Sequence, residues 1–426
     1  MVIIVGAGPT GLWLASELRL HGIAVTVLDR RAARMGESRA GGLHARSMEI
    51  LESRGIAGRF VAAGRRVPYA HFAGLWLDLS RLDTRYPYVL GLVQSRIEAL
   101  LEEHLREHGT EVRWNTEVAA VHQAEGHAEV TTAAGETLRG DYVVGCDGGR
   151  STIRRLLGVA FDGTDATVSS MLADVKLAAP PDGVIFQQRT PLGDFTALQL
   201  EPGYHRLMVN RYTAPAPGSD LEFDEFRAVF TAMAGTDYGM HSPKWTSRYH
   251  DAARLAAHYR RGRVLLAGDA AHIHWPSGGQ GLNTGLQDAT NLGWKLAETI
   301  RGLAPAPGAD VLAAAPAAVA GGSDPARMSA AELNALATGA VTARPHIDIE
   351  GLALLDTYEA ERRPVAVRVL ANTRAQAALS RPGPQADALR ATMAELLTVP
   401  EVNDGLAAMV AGLDQAEPSR SAFSRA

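Results

Sequence analysis

Apolar and polar residues along positions 2–30 follow the order of a strand, a helix and a second strand. Residues 2–5 form a short continuous apolar run, which is typical of a strand buried on both faces. Residues 12–20 carry apolar side chains at helical spacing, Gly22 ends that segment, and residues 24–28 form a second apolar run. The pattern therefore predicts the strand–helix–strand unit from which parallel sheets are built.

Further segments have the periodicity of helices. We expect these helices over residues 45–54, 95–108, 281–301 and 355–379. Ser95 with Glu98 predicts a capping box at the start of the second helix, and Asp356 with Glu359 predicts a similar cap for the last. We also expect a kink near Pro364, because proline lacks the N–H that an interior helical residue donates.

Two stretches between these helices have the alternation of sheet. Residues 112–144 fit a meander inserted into the α/β unit, with a turn at Gly135. Residues 168–250 are mostly strand-like, and residues 221–234 are the one plausible helix among them. We therefore expect a second, sheet-rich domain.

Residues 303–351 differ in character from the rest of the chain. Alanine, proline and glycine dominate there and aromatic residues are missing, so the segment is too poor in large apolar side chains to anchor much core. It is predicted to be a mobile low-complexity insertion at the surface, and residues 415–426 are predicted to be frayed.

Composition and charge exclude several classes of partner. A net charge of −5 over 426 residues gives no reason to expect nucleic acid or an anionic membrane. No apolar stretch approaches the ~18 residues of a membrane-spanning helix, and the chain opens on a strand, so we expect a cytoplasmic protein. Cys146 is the only cysteine, which excludes an intrachain disulfide and a thiolate metal cage.

The first candidate motif is Gly6-Ala7-Gly8-Pro9-Thr10-Gly11, followed by Asp29 at the end of the second strand. The first glycine permits a tight turn, the second lets the backbone approach a pyrophosphate, and the third allows close helix–strand packing. Asp29 is placed to accept a hydrogen bond from a ribose hydroxyl. The motif predicts a dinucleotide site, the alternative being a glycine-rich turn without ligand, and it does not distinguish FAD from NAD.

The second motif is the stretch from Cys146 to Arg154, again a strand that runs into a loop and a helix. Asp147 stands at the carboxyl end of the strand, where such folds bind ligands. A simpler interpretation is equally open, since Asp147 or Ser151 could cap the helix.

The third motif is the stretch from Gly268 to Asn283, in which an apolar strand leads through a glycine-rich loop into a long helix. A helix N-terminus reached in this way is a ready anion site. Asp269 is placed to bind a sugar or ribityl hydroxyl. His272 and His274 lack a third ligand and do not predict a metal site. Trp275 suits either core packing or the wall of a substrate pocket.

These three motifs, in this order and at this separation, resemble the FAD-dependent aromatic hydroxylases. These are the class A flavoprotein monooxygenases, and the polyketide and antibiotic hydroxylases are the most similar branch. Four further segments carry the resemblance, which covers roughly residues 1–302 and 353–412: residues 38–47, 79–86, 94–96 and 359–364. It implies an α/β fold with a Rossmann-like FAD domain of the para-hydroxybenzoate hydroxylase type and a sheet-rich substrate domain.

The resemblance also implies the domain boundaries. The FAD-binding domain would comprise residues 1–67, 91–165 and 255–302, and the substrate-binding sheet domain residues 68–90 and 166–254. Residues 303–352 would be an insertion that the family pattern does not predict. Residues 353–426 would be a C-terminal helical segment, without the thioredoxin-like third domain into which many relatives continue.

Several cofactor contacts are implied by the same resemblance. The glycines of the first motif would pack on the FAD pyrophosphate and Asp29 on the adenosine ribose. Arg39 and Gln94 would contact the pyrophosphate and ribityl region, the alternatives being a solvated loop arginine and an ordinary turn residue. Asp147 belongs to a motif tied to both FAD and NAD(P)H, and Asp269 would hold the ribityl chain.

Residues 276–283 would face the isoalloxazine ring. The complete set of predicted cofactor-binding residues is Gly6, Gly8, Pro9, Thr10, Gly11, Asp29, Arg30, Arg39, Gln94, Asp147, Asp269, Pro276, Gly278, Gly279, Gln280, Gly281, Leu282 and Asn283.

The implied reaction is the hydroxylation of an electron-rich phenolic ring. NADPH or NADH would reduce FAD, O2 would add to give a flavin C4a-hydroperoxide, and the helix that follows Gly279 would stabilise the reduced flavin anion. The sequence names no catalytic base; His44, His205 and His274 are weak candidates. Only one glycine fingerprint is present, so NAD(P)H would dock transiently.

The expected substrate is a small aromatic molecule, first of all a polycyclic polyketide. Trp275, Phe186 and Phe195 are the predicted substrate-binding residues. Tyr204 and Tyr212 could line the same pocket, although core packing explains these two tyrosines and the two phenylalanines equally well. Inactivation of an aromatic antibiotic is the alternative reaction, and non-catalytic sequestration of such a ligand is the non-enzymatic alternative. We expect a monomer or a homodimer.

Two other enzyme classes fit less well. A flavin-dependent halogenase would need a catalytic lysine and a tryptophan-rich signature, and neither is evident. An NADP ketoreductase, with Arg30 and Arg31 on a 2′-phosphate, would need a Tyr-x-x-x-Lys pair. None of the three lysines has a tyrosine four positions before it.

Overall fold

The structure is a computed structural model, and it describes residues 1–201, 203–214, 220–303 and 353–415. The predicted insertion, apart from Leu303, and the predicted frayed terminus, apart from Gln415, lie outside these described residues. Among the described helices, none is both long and apolar enough to cross a bilayer.

The elements of the described chain alternate between helix and strand at first and become sheet-rich later. The helices are α1 Pro9–Leu20, α2 Ala45–Ser53, α3 Ala57–Ala63, α4 Gln94–Glu107, α5 Thr152–Leu156, α6 Phe223–Ala234, α7 Gln280–Ile300, α8 Asp356–Ser380, α9 Pro384–Leu396 and α10 Pro400–Ala411. The strands are β1 Val2–Val5, β2 Val25–Leu28, β3 Gly42–Leu43, β4 Arg65–Val67, β5 Tyr69–Phe72, β6 Leu75–Asp78, β7 Val89–Gly91, β8 Val112–Arg113, β9 Val118–Ala124, β10 His127–Thr132, β11 Thr137–Gly140, β12 Tyr142–Gly145, β13 Phe161–Thr164, β14 Ser169–Leu177, β15 Ile185–Thr190, β16 Gly193–Glu201, β17 Tyr204–Arg211, β18 Met240–His250, β19 Ala253–Ala256, β20 Arg260–Arg261, β21 Val264–Leu266 and β22 His272–Ile273.

A six-stranded sheet forms the centre of the first domain, in the order β20-β21-β12-β1-β2-β8. All neighbours are parallel except β20 and β21. Strands β1, β12 and β21 are buried at every position, because elements cover both faces of the sheet, as their continuous apolar runs predict. The carboxyl ends of these three strands lead into the three candidate motifs, which therefore meet at one edge of the sheet.

A five-stranded antiparallel sheet, in the order β15-β16-β17-β14-β18, forms the second domain. Helix α6 covers one face of this sheet and buries Phe226 and Phe230 completely, the latter with its ring 5.4 Å from that of Phe195. The predicted sheet-rich region and its single helix are present.

The opposite face of this second sheet meets the first domain through a buried ion pair. Arg206 on β17 donates from Nε and Nη2 to the two carboxylate oxygens of Asp174 on β14, each at 2.8 Å. The same guanidinium also donates to the carbonyl oxygens of Ser38 and Arg39. The pair therefore fixes the loop that carries Arg39 against the sheet.

The hairpin of β5 and β6 packs against the C-terminal helices in a separate core. Leu77 and Leu79 of the hairpin segment are buried with Leu379 of α8 and Val410 of α10. Asn403 of α10 holds the hairpin at its base, because its side chain bonds both the N–H and the carbonyl of Asp78.

The two predicted helix caps are wrong. Helix α4 begins at Gln94 without a side-chain cap, Ser95 lies inside its first turn, and the Ser95 hydroxyl meets that of Ser38. Helix α8 also begins without a side-chain cap, since Asp356 pairs with Arg260 and Glu359 accepts from the Tyr259 N–H. In both cases tertiary partners compete successfully for the polar side chain. Helix α8 runs through Pro364 as a single element.

Truncation of Phe230 tests the packing of the second domain. We expect Phe230→Ala to lower the free energy of unfolding by about 3–5 kcal/mol, because it opens a cavity among Phe195, Phe226 and Tyr238. Leu389→Ala, at an exposed position, is the control and should change it by less than about 0.5 kcal/mol. Equal losses in urea titrations of the two variants would contradict this packing.

Candidate active site

The glycine turn between β1 and α1 is closed on one side and open on the other. A Cβ at Gly6 would lie 2.3 Å from the Cys146 carbonyl oxygen, and one at Gly11 would lie 1.9 Å from the Gly6 carbonyl oxygen. Gly6 also has a positive φ of 108°. A Cβ at Gly8, in contrast, would have no neighbour within 4 Å. Gly8 therefore leaves room for a ligand at the N-terminus of α1.

Asp29 is held as an oriented acceptor at the end of β2. One carboxylate oxygen accepts from the Ala7 N–H at 2.8 Å, and Arg31 donates to both oxygens from its backbone and its guanidinium. Burial would raise the pKa of Asp29, but the hydrogen bonds from Arg31 and Ala7 outweigh it and lower the pKa below its usual value. Arg30 is exposed beside it.

Asp147 caps helix α5. Its carboxylate accepts from the Ser151 hydroxyl at 2.5 Å and from the Thr152 and Ile153 N–H groups at 2.6 and 3.1 Å. The capping interpretation therefore describes its contacts, and a cofactor role for Asp147 stays a prediction. Arg154 in the same helix donates to the Ala270 carbonyl at 2.8 Å and so ties the second motif to the third.

The strand end at Gly268 is fixed by a buried polar triad. Asp288 of α7 accepts from the Gly268 N–H at 3.2 Å, meets His272 Nε2 at 2.7 Å and accepts from Arg362 Nε at 2.7 Å. Burial works against ionisation of Asp288, but Arg362 and His272 outweigh it and lower its pKa. The triad holds Asp269, the next residue along the chain, at the mouth of the cleft.

Asp269 and Arg39 carry opposite charges at this cleft, and both are exposed to it. The surrounding protein desolvates Asp269 and raises its pKa, while His272 and Arg39 act in the opposite direction. The two predicted cofactor contacts are therefore brought together.

The glycine loop of the third motif leads into a helix whose N-terminus has no side-chain cap. Gly278 and Gly279 have φ values of 73° and 66°, a conformation that favours glycine, and α7 begins at Gln280 without a side-chain cap. Pro276 and Gly279 are exposed to the cleft. The first N–H groups of this 21-residue helix thus keep their capacity to bind a negative charge.

Five of the other predicted cofactor residues have side chains engaged elsewhere. Asn283 accepts from the His44 N–H at 2.8 Å and donates to the Gly279 carbonyl at 2.9 Å, so it braces the loop from behind. Gln280 turns towards α8, Leu282 packs against the main core, and Gln94 bonds the Ala40 N–H and Glu98. Thr10 fills the space beside Gly268 and Gly285, where a Cβ would lie 2.6 and 2.3 Å from its hydroxyl oxygen.

His44 and His274 flank the same loop, and both are uncharged in the neutral range. Burial lowers the pKa of each imidazole to about 4. Each lies near a loop glycine, since a Cβ at Gly279 would be 3.4 Å from His44 Nε2 and one at Gly281 would be 3.5 Å from His274 Nε2. His205 also has its pKa lowered by burial. Within the described ranges, no group of three or more His, Cys, Asp or Glu residues could hold a metal ion.

Trp275 is buried where the loop meets the second sheet, and it packs with Val168, Ala377, Tyr212 and Tyr249. The prediction for Phe186 and Phe195 needs correction. Phe195 belongs to the core beneath α6 and has no exposed surface, and the half-buried Phe186 packs against the same core. Side chains alternate along β16, so Phe195 points away from the face that carries Asp194.

That other face carries a buried polar network that sequence reasoning missed. Asp194 accepts from the Tyr212 hydroxyl at 2.5 Å and from Asn210 Nδ2 at 2.7 Å, and Asn210 accepts from the Ser170 hydroxyl at 2.6 Å. Desolvation raises the pKa of Asp194 in spite of these donors. Charged and amide residues at alternate positions of apolar strands were the signal that could have found it.

A cavity of about 340 Å³ opens beside Asp194. The turn of the β5–β6 hairpin and the end of α8 form its other walls. Its lining residues are Ala73, Gly74, Gln187, Gln188, Arg189, Asp194, Ser380 and Arg390.

These features fit a flavin dinucleotide with a substrate beside it. The open position at Gly8 suits a pyrophosphate, Asp29 suits a ribose, and the start of α7 suits the electron-rich edge of a reduced flavin. The fold and site therefore define a flavoprotein of the para-hydroxybenzoate hydroxylase type.

Comparison with known proteins gives the family. The profile of the FAD binding domain family matches residues 1–320. Rifampicin monooxygenase from Streptomyces venezuelae is 44% identical, with 94% of this chain and 76% of that protein covered. Anhydrotetracycline monooxygenase from Streptomyces rimosus is 41% identical, with 98% of this chain and 77% of that protein covered. The chain therefore belongs to the FAD binding domain family, which confirms the resemblance.

Solved structures agree with this assignment. The anhydrotetracycline hydroxylase from Streptomyces rimosus superposes with a TM-score of 0.81 at 41% identity, covering 97% of this chain and 76% of that one. The p-nitrophenol 4-monooxygenase from Pseudomonas putida, at 24% identity, supports the fold alone, with a TM-score of 0.75 and coverage of 97% and 98%. The protein is an FAD-dependent monooxygenase, and flavin monooxygenases use NAD(P)H and O2.

The different surroundings of Gly8 and Gly11 give a paired test of the dinucleotide site. We expect Gly8→Ala to leave the thermal midpoint of the apoprotein unchanged and to weaken FAD binding at least about tenfold, because its Cβ occupies only ligand space. Gly11→Ala should instead destabilise the apoprotein by about 1–3 kcal/mol or more. FAD titrations and thermal melts of both apoproteins check this. A Gly8→Ala variant that binds FAD like the wild type would contradict the assignment.

The two loop histidines predict how stability depends on pH. Each has a pKa of about 4 when folded and near 6.5 when unfolded, so the unfolded chain binds more protons between these values. Stability is therefore full above pH 6.5 and falls on acidification, by up to about 1.4 kcal/mol per pH unit for each histidine. Urea unfolding between pH 7 and 5 measures how the free energy of unfolding changes with pH. This change per pH unit should be smaller in His44→Gln and in His274→Gln than in the wild type. Unchanged slopes would disprove the buried, neutral state.

Proposed function

We propose that the protein hydroxylates a phenolic ring of a polycyclic aromatic polyketide in an FAD-dependent, NAD(P)H-consuming reaction. The observation that carries this proposal is the meeting of two surfaces at Trp275. On one side lies the uncapped N-terminus of α7, and on the other lies the polar sheet face with Asp194 and Tyr212. The first suits a reduced flavin and the second suits a hydroxylated aromatic molecule.

The bound flavin would accept a hydride from NAD(P)H and, with O2, supply the oxygen atom that is transferred. The chain itself contributes position and charge. The N–H groups that follow Gly279 stabilise negative charge on the reduced ring, because they are fixed donors at the positive end of a long helix. Asp269 binds the ribityl chain, Asp29 the ribose, and the Gly6–Gly11 turn the pyrophosphate.

The substrate side is held by one flat apolar residue and one acceptor. Trp275 packs with Tyr212 and Tyr249 and so supports the wall against which the aromatic substrate would lie. Asp194 accepts a hydrogen bond from a substrate hydroxyl, since its oxygens retain lone pairs beyond those used by Tyr212 and Asn210. Hydrogen bonding of a phenol to a carboxylate increases the electron density of the ring, which favours attack by an electrophilic oxygen.

Inactivation of an aromatic antibiotic is the second candidate function. The observation that favours it is the 44% identity with rifampicin monooxygenase. The relative named anhydrotetracycline monooxygenase is similar to the chain to nearly the same degree, at 41% identity, and it favours the biosynthetic role. The two roles share one chemistry and differ in the substrate that the cavity accepts.

Turnover with defined aromatic compounds tests the proposal. Purified holoenzyme should oxidise NADPH faster with anhydrotetracycline or a rifamycin present, and the product should be heavier by one oxygen atom. Bound FAD without any such product across a panel of polycyclic phenols would favour a sequestering protein. A colourless protein that does not bind FAD would overturn the proposal altogether.

Substitution of Asp194 tests the substrate side separately. Asp194→Asn keeps the shape and one acceptor but removes the charge, so we expect kcat/KM to fall about tenfold or more, with FAD content unchanged. Tyr212→Phe, which removes a donor to that carboxylate, should have a smaller effect in the same direction. Product formation by Asp194→Asn at the wild-type rate would remove Asp194 from the substrate contacts.

A further inference from the structure

A single buried amide joins the flavin loop to the wall of the cavity. Gln376 of α8 has no exposed surface. Its Oε1 accepts two hydrogen bonds, from the Ala73 N–H at 2.9 Å and from the Ser277 hydroxyl at 2.7 Å. Ala73 lines the cavity beside Asp194, and Ser277 begins the loop that leads into α7. One oxygen atom therefore serves both sides of the candidate active site.

The other end of this amide reaches the same loop a second time. Gln376 Nε2 donates to Asn372 Oδ1 at 2.6 Å, and Gln280 Nε2 donates to the same oxygen at 3.2 Å. Ser277 and Gln280 stand on either side of Gly278 and Gly279, whose φ values are positive. Helix α8 thus binds the residues on both sides of the left-handed glycine pair.

The turn at Ala73 is constrained on its other side as well. Arg390 Nη1 donates to the Ala73 carbonyl at 2.5 Å, while Gln376 binds the N–H of the same residue. Ala73 has a φ of 53°, an uncommon conformation for a residue with a Cβ, and such strain persists only where the surroundings enforce it. Displacement of this turn by a cavity occupant would therefore act directly on Gln376.

We propose that Gln376 is a positioning residue that couples the cavity wall at Ala73 to the flavin loop from Ser277 to Gln280. The inference rests on the proposed function only in placing a flavin at that loop. A bound aromatic molecule shifts the turn at Ala73, the shared acceptor moves with it, and the N–H groups at the start of α7 change their position against the flavin ring. Occupancy of the cavity would in this way change the surroundings of the cofactor.

The coupling predicts a change in FAD affinity that can be measured without substrate. Arg390→Met loosens the Ala73 turn without touching the flavin loop. We expect it to weaken FAD binding about fivefold in the presence of Gln376, the equivalent of one ordinary hydrogen bond. In the Gln376→Met background, which should itself bind FAD at least about fivefold more weakly, Arg390→Met should have no further effect.

The experiment is a double-mutant cycle read by FAD titration of the apoproteins, with thermal melts in parallel. Asn403→Ala is the matched control, because Asn403 holds the same hairpin at Asp78 and has no contact with the loop. Its effect on FAD binding should be equal in both Gln376 backgrounds. Equal effects of Arg390→Met in both backgrounds, or no effect in either, would overturn the proposal.

A second variant keeps the test decisive if Gln376→Met does not fold. Ser277→Ala removes only the hydroxyl that reaches Gln376 Oε1 and leaves the hairpin contact intact. It should reduce the effect of Arg390→Met on FAD affinity, because only the path through Asn372 and Gln280 then joins Gln376 to the loop. A purely structural role of Gln376 would leave that effect at its full size. Failure of aromatic hydroxylation with intact coupling would disprove the proposed function alone, since FAD binding requires no turnover.

Discussion

The N–H groups at the start of α7 depend on the left-handed turn of Gly278 and Gly279 that leads into them. No side chain caps this helix among the described residues, because Asn283 braces the loop from behind and Gln280 turns towards α8. A free helix N-terminus is unfavourable for folding on its own and favourable for binding an electron-rich ring. The central sheet and α8 keep this N-terminus both open and fixed.

Buried polar contacts hold the elements around the N-terminus of α7 in place. The Asp288 triad joins β22, α7 and α8, and the Asp174–Arg206 pair joins the second sheet to the loop that carries Arg39. Removal of one partner from such a buried pair commonly costs about 3–5 kcal/mol, because the other charge is left without compensation. These contacts therefore specify how the two domains face each other across the cleft, and the Gln376 amide adds a link between the cleft and the cavity.

Local sequence was sufficient for the elements that bound the cofactor cleft. The apolar run of β1, the glycine turn and the period of α7 each depend on neighbours within one element, and the predicted limits of α7 differ from the observed ones by a single residue. The meeting of three motifs at one sheet edge followed from the rule that parallel strands present their carboxyl ends together.

The substrate side depended on register and on distant partners, which a single sequence does not reveal. Phe195 and Asp194 are adjacent in the chain and lie on opposite faces, so only the observed pairing of β16 with β17 shows which one faces the cavity. Ser95 and Glu359 carried capping signals, but Ser38 and the Tyr259 N–H engaged them instead. Gln376 had no local signal, since the two partners of its Oε1 lie 99 and 303 residues away.

The charge of the reduced flavin tests the central claim most directly. If the ring lies at the uncapped N-terminus of α7, the fixed N–H donors should keep the reduced flavin anionic. The absorbance spectrum of the anaerobically reduced holoenzyme should then show the anionic form throughout the range from pH 6 to 8. A reduced flavin that is neutral across this range would contradict the placement of the ring at α7.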